Sequence, residues 1–442
     1  MTSLLIRGAV PYWSGPGTPD AATSGVATDV LVRAGRIAEI GSIAAAEGVE
    51  VLDAAGLILL PGFVDLHTHL RQPGREDAET IASGSAAAAA GGFTAILAMA
   101  NTTPATDTAE NAEYVFDEGR RVGLVDVQPI GAVTKSLAGQ ELAELGLMAR
   151  SRARVRIFSD DGHCVQDARL MRRALDYLRP FGGVISQHAQ DGDLAGPDAC
   201  AHEGEVSGRL GLPGWPTPAE SAIIARDAEL ARHTGSRVHV AHVSTAEGVE
   251  VVRWAKARGI ALTAEVTPHH LALGTELLAG YDPVFKVNPP LRPAEDREAI
   301  AQALVEGIID AVATDHAPHA RHDKEHAFQA AAFGMLGLES AFGVVHDLLV
   351  MTGRLDWAGV ADRMSVAPAR IAGLGGHGRP IAVGEPANLV LVDPATRHTV
   401  DAAASASLSR NNPWHGRTFG ASVHATILRG VVTARGGRVV SA

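Results

Sequence analysis

Short apolar runs that alternate with helical stretches constrain the fold of this chain more than any other feature. The alternation extends from about residue 62 to residue 318. The predicted strands span residues 62–69, 93–101, 125–133, 155–161, 184–188, 238–244, 261–267 and 311–315. The predicted helices between them span residues 80–90, 110–122, 170–178, 218–234, 248–258 and 295–306. This pattern favours the α/β class and a parallel (β/α)8 barrel of the TIM type.

A doubly wound open sheet would produce a similar alternation. It would usually carry a glycine-rich dinucleotide turn after its first strand, and this chain has none there. The flanks of the region are β-rich as well, with short runs at 3–6, 29–33, 36–40, 57–60, 388–392, 424–428 and 430–434. We expect the two termini to pair into one small β-sandwich. The predicted domains are therefore a barrel, residues 62–370, and a composite sandwich, residues 1–61 with 371–442.

Charge and hydropathy exclude several classes of function. A net charge of −12 argues against a protein that binds the nucleic-acid backbone, which would need a basic face. No segment approaches the roughly 18 uninterrupted apolar residues of a membrane span, and the first residues do not resemble a signal peptide. Cys164 and Cys200 could pair, but without signs of secretion we expect free thiols in the cytoplasm.

The strongest local signal is an Asp-x-His-x-His-Leu-Arg run at residues 65–71. Side chains alternate between the two faces of a strand, so His67 and His69 point the same way. Both lie at the carboxyl end of the first predicted strand, where such barrels build their sites. Two neighbouring imidazoles can bind one zinc ion at about 2.0–2.1 Å each.

Four further strand ends carry residues of the kind that bind metals. Asp160 and Asp161 end the fourth strand, and the fifth, sixth and eighth strands end at His188, His242 and Asp315. Because the carboxyl ends of parallel strands meet at one rim, these side chains should lie close together. Four histidines and two carboxylates suit two divalent ions about 3.5–4 Å apart that share a bridging carboxylate. Asp160 and Asp161 are both candidates for the bridge.

The sequence leaves the roles of other polar residues near this rim open. His239 is out of phase with His242 and is predicted to face the surrounding helices. His269 and His270 follow the seventh strand, where they either support the site or serve the structure. The polar run at 321–326 is either a mobile lid over the substrate or a solvated loop.

Five motifs together resemble the bacterial class I dihydroorotases of the amidohydrolase superfamily. They are the run at 65–71, Asn101 within 98–102, Phe-Ser-Asp-Asp-Gly at 158–162, Val-Asn-Pro-Pro-Leu-Arg at 287–292 and Ala-Thr-Asp-His-Ala-Pro-His at 313–319. The resemblance covers essentially the whole chain, including the β-rich termini. It implies a TIM-type barrel, zinc, and the reversible cyclisation of N-carbamoyl-L-aspartate to L-dihydroorotate plus water in pyrimidine biosynthesis.

The resemblance also implies a set of metal ligands. Spacing in the family favours Asp161 over Asp160 as the bridge between two zinc ions. Many cyclic amidohydrolases use a carboxylated lysine there, but this chain has an aspartate pair, so we expect an aspartate bridge. The other ligands that the resemblance implies are His67, His69 and Asp315 for the first zinc, and His188 and His242 for the second.

Substrate recognition follows from charge. Dihydroorotate carries a carboxylate, and Arg71 offers a planar, permanently charged guanidinium. Arg71 lies two residues after His69 and therefore on the same face if the strand continues. The resemblance adds residues around the carboxylate and the ring amides. The expected substrate-binding residues are His69, Leu70, Arg71, Asn101, Asn288, His319, Phe333 and Gly334.

In this interpretation Asp315 is the catalytic proton carrier. It takes the proton of the water that attacks the ring carbonyl and passes it to the leaving nitrogen. A hydantoinase or dihydropyrimidinase would share the fold and the histidines, but would not need Arg71 and would usually have lysine in place of Asp161. A non-catalytic scaffold of an aspartate transcarbamoylase complex would be expected to have lost ligands. We expect a homodimer, and an association with aspartate transcarbamoylase alongside catalysis stays open.

Overall fold

A computed structural model describes residues 3–13, 25–45 and 47–440 of the chain. Its amino-terminal part forms strands where the apolar runs predict them. Ala34 and Gly35, with φ of 50° and 76°, make the tight turn of the first hairpin, a conformation that matches the twist of the flanking strands. The strands are β1 (Ser3–Pro11), β2 (Thr28–Arg33), β3 (Arg36–Gly41), β4 (Glu50–Asp53) and β5 (Ile58–Pro61).

All the strands predicted for the central region are present, but each is shorter than predicted. Some amides at their ends bond to side chains instead of a neighbouring strand: those of Val133 and Thr134 donate to Asp160. The central strands, with a short pair (β11 and β12) inserted among them, are β6 (Phe63–Thr68), β7 (Phe93–Ala98), β8 (Asp126–Pro129), β9 (Ile157–Phe158), β10 (Val184–Gln187), β11 (Ala201–His202), β12 (Gly214–Trp215), β13 (Arg237–Val240), β14 (Leu262–Val266) and β15 (Ala311–Val312).

The central strands pair in parallel. One sheet has the order β6-β7-β8 and the other has the order β9-β10-β13-β14-β15. Single parallel bridges join the edges of the two sheets, Gly131 with Phe158 and Thr68 with His316. Because every pairing is parallel, the carboxyl ends of these strands lie on the same side.

The predicted helices are confirmed, and several have clear end signals. Thr80 and Ser83 form a capping box at the start of the first helix, and Gly123, with φ of 70°, ends the second. The α-helices are α1 (Ile81–Ala90), α2 (Ala109–Val122), α3 (Leu145–Arg150), α4 (Ala168–Leu178), α5 (Gly192–Ala195), α6 (Glu205–Leu210), α7 (Pro218–Thr234), α8 (Ala246–Ala257), α9 (Pro268–Ala272), α10 (Ala294–Glu306), α11 (Arg321–Lys324), α12 (Ala341–Val345), α13 (Trp357–Ala361) and α14 (Ala367–Ala372).

The two termini share one sheet. Among the described residues it is nine-stranded, in the order β21-β20-β19-β16-β5-β1-β2-β3, with β4 beside β1. The carboxyl-terminal strands, of which β17 and β18 form a separate pair, are β16 (Leu389–Asp393), β17 (His398–Thr399), β18 (Thr418–Phe419), β19 (Ser422–Leu428), β20 (Val431–Arg435) and β21 (Arg438–Val439). The pairing of the termini is therefore confirmed.

The apolar residues form distinct cores. The largest lies between the central strands and the helices around them, and another, including Leu66, Leu97 and Ile157, packs against Ile371 of α14. The terminal sheet has its own core, in which Ile6 packs with Leu389 and other residues of both termini. No helix among the described residues is long and apolar enough to cross a membrane. Cys164 and Cys200 are both free, as predicted.

Candidate metal centre

The predicted ligands come together at the carboxyl ends of five central strands. His67 lies within β6, and the others follow the ends of their strands by one to three residues. All are at least 95% buried. The residues are His67, His69, Asp161, His188, His242 and Asp315.

Asp161 lies at the centre of this cluster, and each of its carboxylate oxygens faces one pair of histidines. Oδ2 is 3.4 Å from Nε2 of His67 and 3.4 Å from Nε2 of His69. Oδ1 is 3.5 Å from Nδ1 of His188 and 3.4 Å from Nε2 of His242. The two sides form two groups of three donors, each compact enough to hold one cation, and Asp161 belongs to both.

Asp315 joins the group around β6. Its Oδ1 lies 3.0 Å from Nε2 of His69 and 3.3 Å from Nε2 of His67. Asp315 and His242 both have left-handed backbone, with φ of 46° and 32°. Such a conformation costs a residue other than glycine about 1–3 kcal/mol and is concentrated at functional sites. The turns after β13 and β15 thus aim their side chains at the cluster at the expense of local strain.

Asp160 faces a different set of partners. Its Oδ1 accepts from the backbone nitrogens of Val133 and Thr134 at 2.8 and 3.0 Å, and its Oδ2 accepts from the Thr134 hydroxyl at 2.5 Å. These bonds fasten the segment after β8 to the segment after β9. Asp161, not Asp160, has the geometry of a bridging ligand.

The donor atoms fit a divalent cation. Nε2 of His67 and Oδ1 of Asp161 are buried without a hydrogen-bond partner among the described residues, a costly arrangement unless something binds there. The outward nitrogens have acceptors: Nδ1 of His69 donates to Asn101 at 2.9 Å, and Nε2 of His188 donates to Gln190 at 2.9 Å. The nitrogens that face the cluster therefore keep their lone pairs for a metal.

The electrostatics of the cluster agree with this interpretation. Burial alone would raise the pKa of Asp161, but His67, His188 and His242 outweigh burial and hold this pKa well below its usual value. Burial would lower the pKa of His67, yet the neighbouring carboxylates Asp161 and Asp315 raise it well above normal. Several histidines thus share the two buried carboxylates of Asp161 and Asp315, and a bound cation would take the place of the protons on their inward nitrogens.

The residues predicted to bind substrate surround the cluster, but they are oriented differently from expectation. The strand does not continue to Arg71: it ends at Thr68, and Arg71 sits in a turn with φ of 59°. Its Nε donates to the Pro318 carbonyl at 3.0 Å, and its Nη2 lies 3.3 Å from Nε2 of His319. The condition on which alternation would place Arg71 on the face of His69 is therefore not met, and the turn sets the direction of Arg71 instead.

His319 and the backbone of Phe333 and Gly334 form a second group on this side. Nε2 of His319 donates to the Phe333 carbonyl at 2.6 Å, and burial together with Arg71 lowers the pKa of His319 to about 3. The amide of Gly334 donates to the Lys286 carbonyl at 2.9 Å. The Phe333 carbonyl and the Gly334 amide thus each have one hydrogen-bond partner within the protein.

Asn101, Asn288 and Leu70 complete the predicted set. Asn101 is tied to His69, as described above, and Nδ2 of Asn288 lies 3.2 Å from Nε2 of His188 and donates to Gln190 at 2.8 Å. Asn101 therefore bonds to one metal-type ligand, His69, and Asn288 reaches another, His188, through Gln190. The Leu70 side chain is buried in the large core beside Gly84 of α1, so only its backbone is available to a bound molecule.

Two family models match the chain. A model described as "Dihydro-orotase-like" matches residues 56–248, and the amidohydrolase family matches residues 215–433. A protein from Streptomyces coelicolor named "Dihydroorotase" is 55% identical over 99% of this chain and 100% of its own length. One with the same name from Mycobacterium tuberculosis is 54% identical over 99% of both chains. The chain belongs to the dihydroorotase family.

Solved structures of related amidohydrolases share the fold. The L-hydantoinase (dihydropyrimidinase) from Arthrobacter aurescens superposes with a TM-score of 0.86 at 25% identity, and covers 100% of this chain and 98% of its own. A dihydropyrimidinase from Brevibacillus agri gives 0.85 at 23% identity over 99% and 96% of the two chains. The mixed α/β fold predicted from the sequence is therefore that of these amidohydrolases.

Several residues that contact the cluster lie outside the dihydroorotase motifs, and the sequence analysis did not predict their roles. Glu265 of β14 accepts from Nδ1 of His67, and Gln190 accepts from both His188 and Asn288. His239 was predicted to face the helices, but it is buried and bonds to Glu265, because the turn at His242 breaks the alternation after β13. A carboxylate among the residues of a central strand, 262–266, was the available signal for Glu265.

His269 and His270 are both buried at the rim. Nε2 of His269 has no hydrogen-bond partner among the described residues, and burial lowers its pKa to about 4. His270 instead bonds to the Thr267 hydroxyl and the Pro289 carbonyl. His270 therefore joins the segment after β14 to the segment around Pro289. Of the two roles that the sequence left open for this residue, this is the structural one.

Proposed function

We propose that this chain is a metal-dependent dihydroorotase that interconverts N-carbamoyl-L-aspartate and L-dihydroorotate in pyrimidine biosynthesis. The observation that carries the proposal is the convergence of four histidines and Asp161 on two compact groups of donors, with Asp315 against His67 and His69. Full-length relatives at 54–55% identity bear the name dihydroorotase. The activity is that of a hydrolase acting on a cyclic amide.

We propose that the site holds two zinc ions. The first would be held by His67, His69 and Asp315, the second by His188 and His242, with Asp161 shared. The imidazole and carboxylate donors are those that zinc accepts, and a shared anion reduces the repulsion between two dications. When bound, such a pair polarises the amide carbonyl and lowers the pKa of a water molecule toward neutrality.

Asp315 is the residue that moves the proton. Its Oδ1 faces His67 and His69, which leaves Oδ2 to accept the proton of the attacking water. In hydrolysis the carboxyl group then gives this proton to the ring nitrogen as the C–N bond breaks. In cyclisation the same carboxylate removes a proton from the ureido nitrogen, and the groups act in reverse order.

Arg71 supplies the positive charge that the substrate carboxylate needs. Nε of its guanidinium donates to the Pro318 carbonyl, so the remaining donor edge has a fixed direction. Asn101 and His319 lie on the same side of the cluster, and we propose that they share the carboxylate. Asn288 and the backbone of Phe333 and Gly334 would contact the ring amides.

The architecture that supports this site is proposed to be a closed barrel with a β-sandwich beside it. The two bridges that join both edges of the parallel sheets support closure, because they leave no open sheet edge between β6 and β15. The separate core of the terminal strands supports a second domain, residues 1–61 with 371–442, against a barrel of residues 62–370. A homodimer and an association with aspartate transcarbamoylase remain predictions that light scattering and co-purification test.

The decisive experiment compares substrates on one zinc-loaded preparation. Steady-state rates are measured with dihydroorotate, carbamoyl aspartate, dihydrouracil and hydantoin, and elemental analysis gives the zinc content of the same sample. Turnover of the first two with about two zinc ions per chain is expected. Preference for dihydrouracil or hydantoin would favour a hydantoinase, and a metal-free, inactive protein would favour a scaffold.

A further inference from the structure

A column of hydrogen-bonded polar groups runs behind the metal centre. Nδ1 of His67 lies 2.9 Å from Oε1 of Glu265, whose Oε2 lies 3.0 Å from Nε2 of His239. Nδ1 of His239 lies 2.8 Å from the Thr263 hydroxyl. Glu265 and Thr263 are two residues apart on β14, and His239 is the register partner of Thr263 on β13. The neighbouring strands β13 and β14 thus bring His239, Thr263 and Glu265 together, and Glu265 contacts His67 of β6.

The hydrogen bonds of Glu265 decide which nitrogen of His67 is free. An ionised carboxylate only accepts hydrogen bonds, so Nδ1 of His67 and Nε2 of His239 both carry the proton they donate to it. A neutral imidazole has one proton, which leaves Nε2 of His67 with a lone pair. That atom is the buried nitrogen that faces Asp161 and Asp315 and has no hydrogen-bond partner among the described residues.

Glu265 also contributes charge at a buried position. It is 1% exposed, and its ion-pair partners among the described residues are His67 and His239, with no lysine or arginine. The Thr263 hydroxyl can donate to His239, so His239 satisfies Glu265 in its neutral form. The negative charge of Glu265 therefore lies one imidazole away from the first group of donors, where it favours a bound dication.

We propose that Glu265 is a positioning residue of the metal centre: with His239 behind it, it orients His67 and strengthens the binding of a divalent cation between His67 and His69. The inference rests on the proposed metal-dependent function. Carboxylates that bond to a ligating histidine commonly change metal affinity by about 10–100-fold. His188 and His242 do not contact Glu265 in the hydrogen bonds described, so the second group of donors should be unaffected.

The test measures zinc binding directly on the full chain. Metal-free wild type and Glu265→Gln are titrated with zinc in competition with a chromophoric chelator. We expect Glu265→Gln to weaken one of two sites by about 10–100-fold and to leave the other unchanged. His239→Gln, which removes only the outer partner, should weaken the same site by a smaller factor.

Asp310→Asn is the matched control. Asp310 is also a buried carboxylate beside β14, where it accepts from the Ala264 amide at 2.9 Å and from Lys256 at 2.7 Å, but it contacts no metal-type ligand. The zinc affinity of the Asp310→Asn variant should equal that of the wild type. If Glu265→Gln does not fold, Glu265→Asp replaces it, since the shorter carboxylate cannot span both histidines and should weaken the same site.

The outcomes separate this inference from the proposed function. Wild-type affinity at both sites in the Glu265 variant, or an equal loss in Asp310→Asn, overturns the positioning role while the dihydroorotase proposal stands. A wild-type chain that binds no zinc and does not turn over dihydroorotate overturns the proposed function itself. Loss confined to one site in the Glu265 variant supports the inference.

Discussion

Asp160 and Asp161 are adjacent carboxylates with different surroundings. Asp160 accepts three hydrogen bonds from the segment after β8, whereas Asp161 faces four histidines from three strands. Neighbouring residues in an extended segment point in opposite directions, so only one of the two can reach the cluster. The two residues have the same side chain, so the direction in which each side chain points decides what it binds.

Substituting the two aspartates separately should show that one of them binds metal and that the other stabilises the fold. Asp161→Asn is expected to lose most bound zinc, because it removes the charge shared by both groups of donors. Asp160→Asn should keep its zinc but unfold at a lower temperature, since hydrogen bonds to a charged group are worth about 1.5–3 kcal/mol. Elemental analysis and thermal melts of both variants check this, and the reverse pattern would make Asp160 the bridge.

Asp315→Asn tests the proton carrier. The amide keeps the shape of the side chain but cannot accept a proton, so kcat should fall by about 10²–10⁴-fold, the usual contribution of general acid–base catalysis. The Michaelis constant should change much less. Zinc content must be measured in parallel, and near-normal turnover in a fully loaded variant would rule out the proposed role.

Arg71→Ala tests the carboxylate anchor. The change removes the guanidinium group that is proposed to bind the substrate carboxylate. The Michaelis constant for dihydroorotate should therefore rise by roughly 10–100-fold, as expected for the loss of a hydrogen bond between charged groups. Arg121→Ala is the control, because Arg121 is paired with Glu118 on the exposed face of α2. An unchanged Michaelis constant in Arg71→Ala would mean that another residue binds the carboxylate.

At the scale of elements, two lysines hold the segment that follows β15. Nζ of Lys324 on α11 donates to the carbonyls of Ala332 and Gly334 at 2.8 and 2.9 Å. Nζ of Lys286 donates to the carbonyls of Gln329 and Ala331 at 2.8 and 2.7 Å. These ammonium groups fix the backbone on both sides of Phe333, where substrate amides are proposed to bind. Mobility of 321–326 as a lid remains a prediction.

Lys324→Met should loosen this segment. The variant keeps the apolar stem of the side chain but removes the donors, so the Michaelis constant should rise about 5–10-fold, in line with two lost hydrogen bonds to a charged group that are partly replaced by water. The turnover number should change less. Lys135→Met is the control, because Lys135 pairs with Glu141 at an exposed position. Equal kinetics in the two variants would contradict a role for Lys324.

At the scale of the whole molecule, the donors come from strands that are far apart in sequence. Residues 67 and 315 are neighbours only because β6 and β15 are bridged at Thr68 and His316. A cation that binds such a cluster in the folded chain alone stabilises the fold, by about 2.7 kcal/mol when free metal is 100 times its dissociation constant. A cation bound there would therefore add to the cohesion of both parallel sheets.

Removal of the metal should lower thermal stability. Zinc-loaded protein treated with a strong chelator is expected to melt at least several degrees lower, and added zinc should restore both the melting temperature and the activity. Scanning calorimetry with and without chelator measures the shift. Asp161→Asn should show little further change with chelator, and an identical melting temperature for chelated wild type would exclude a structural contribution of the metal.

The sequence by itself determined the elements and the metal-type ligands. Strand and helix periods are local, and parallel strands carry their ends to one rim, so the positions of His67, His69, His188, His242 and Asp315 followed from spacing. The family resemblance, also visible in the sequence, added the preference for Asp161 and the roles around the substrate. Local pattern and motif were sufficient for these features because they depend on few long-range contacts.

Only the tertiary structure decided how side chains at the strand ends are directed. The turn at Arg71, the core position of Leu70 and the inward position of His239 all arise where the strands stop and alternation no longer holds. Glu265 and Gln190 have roles because residues distant in sequence meet them. Hydrogen-bond partners across strands depend on the packed arrangement of the whole chain, which no local pattern contains.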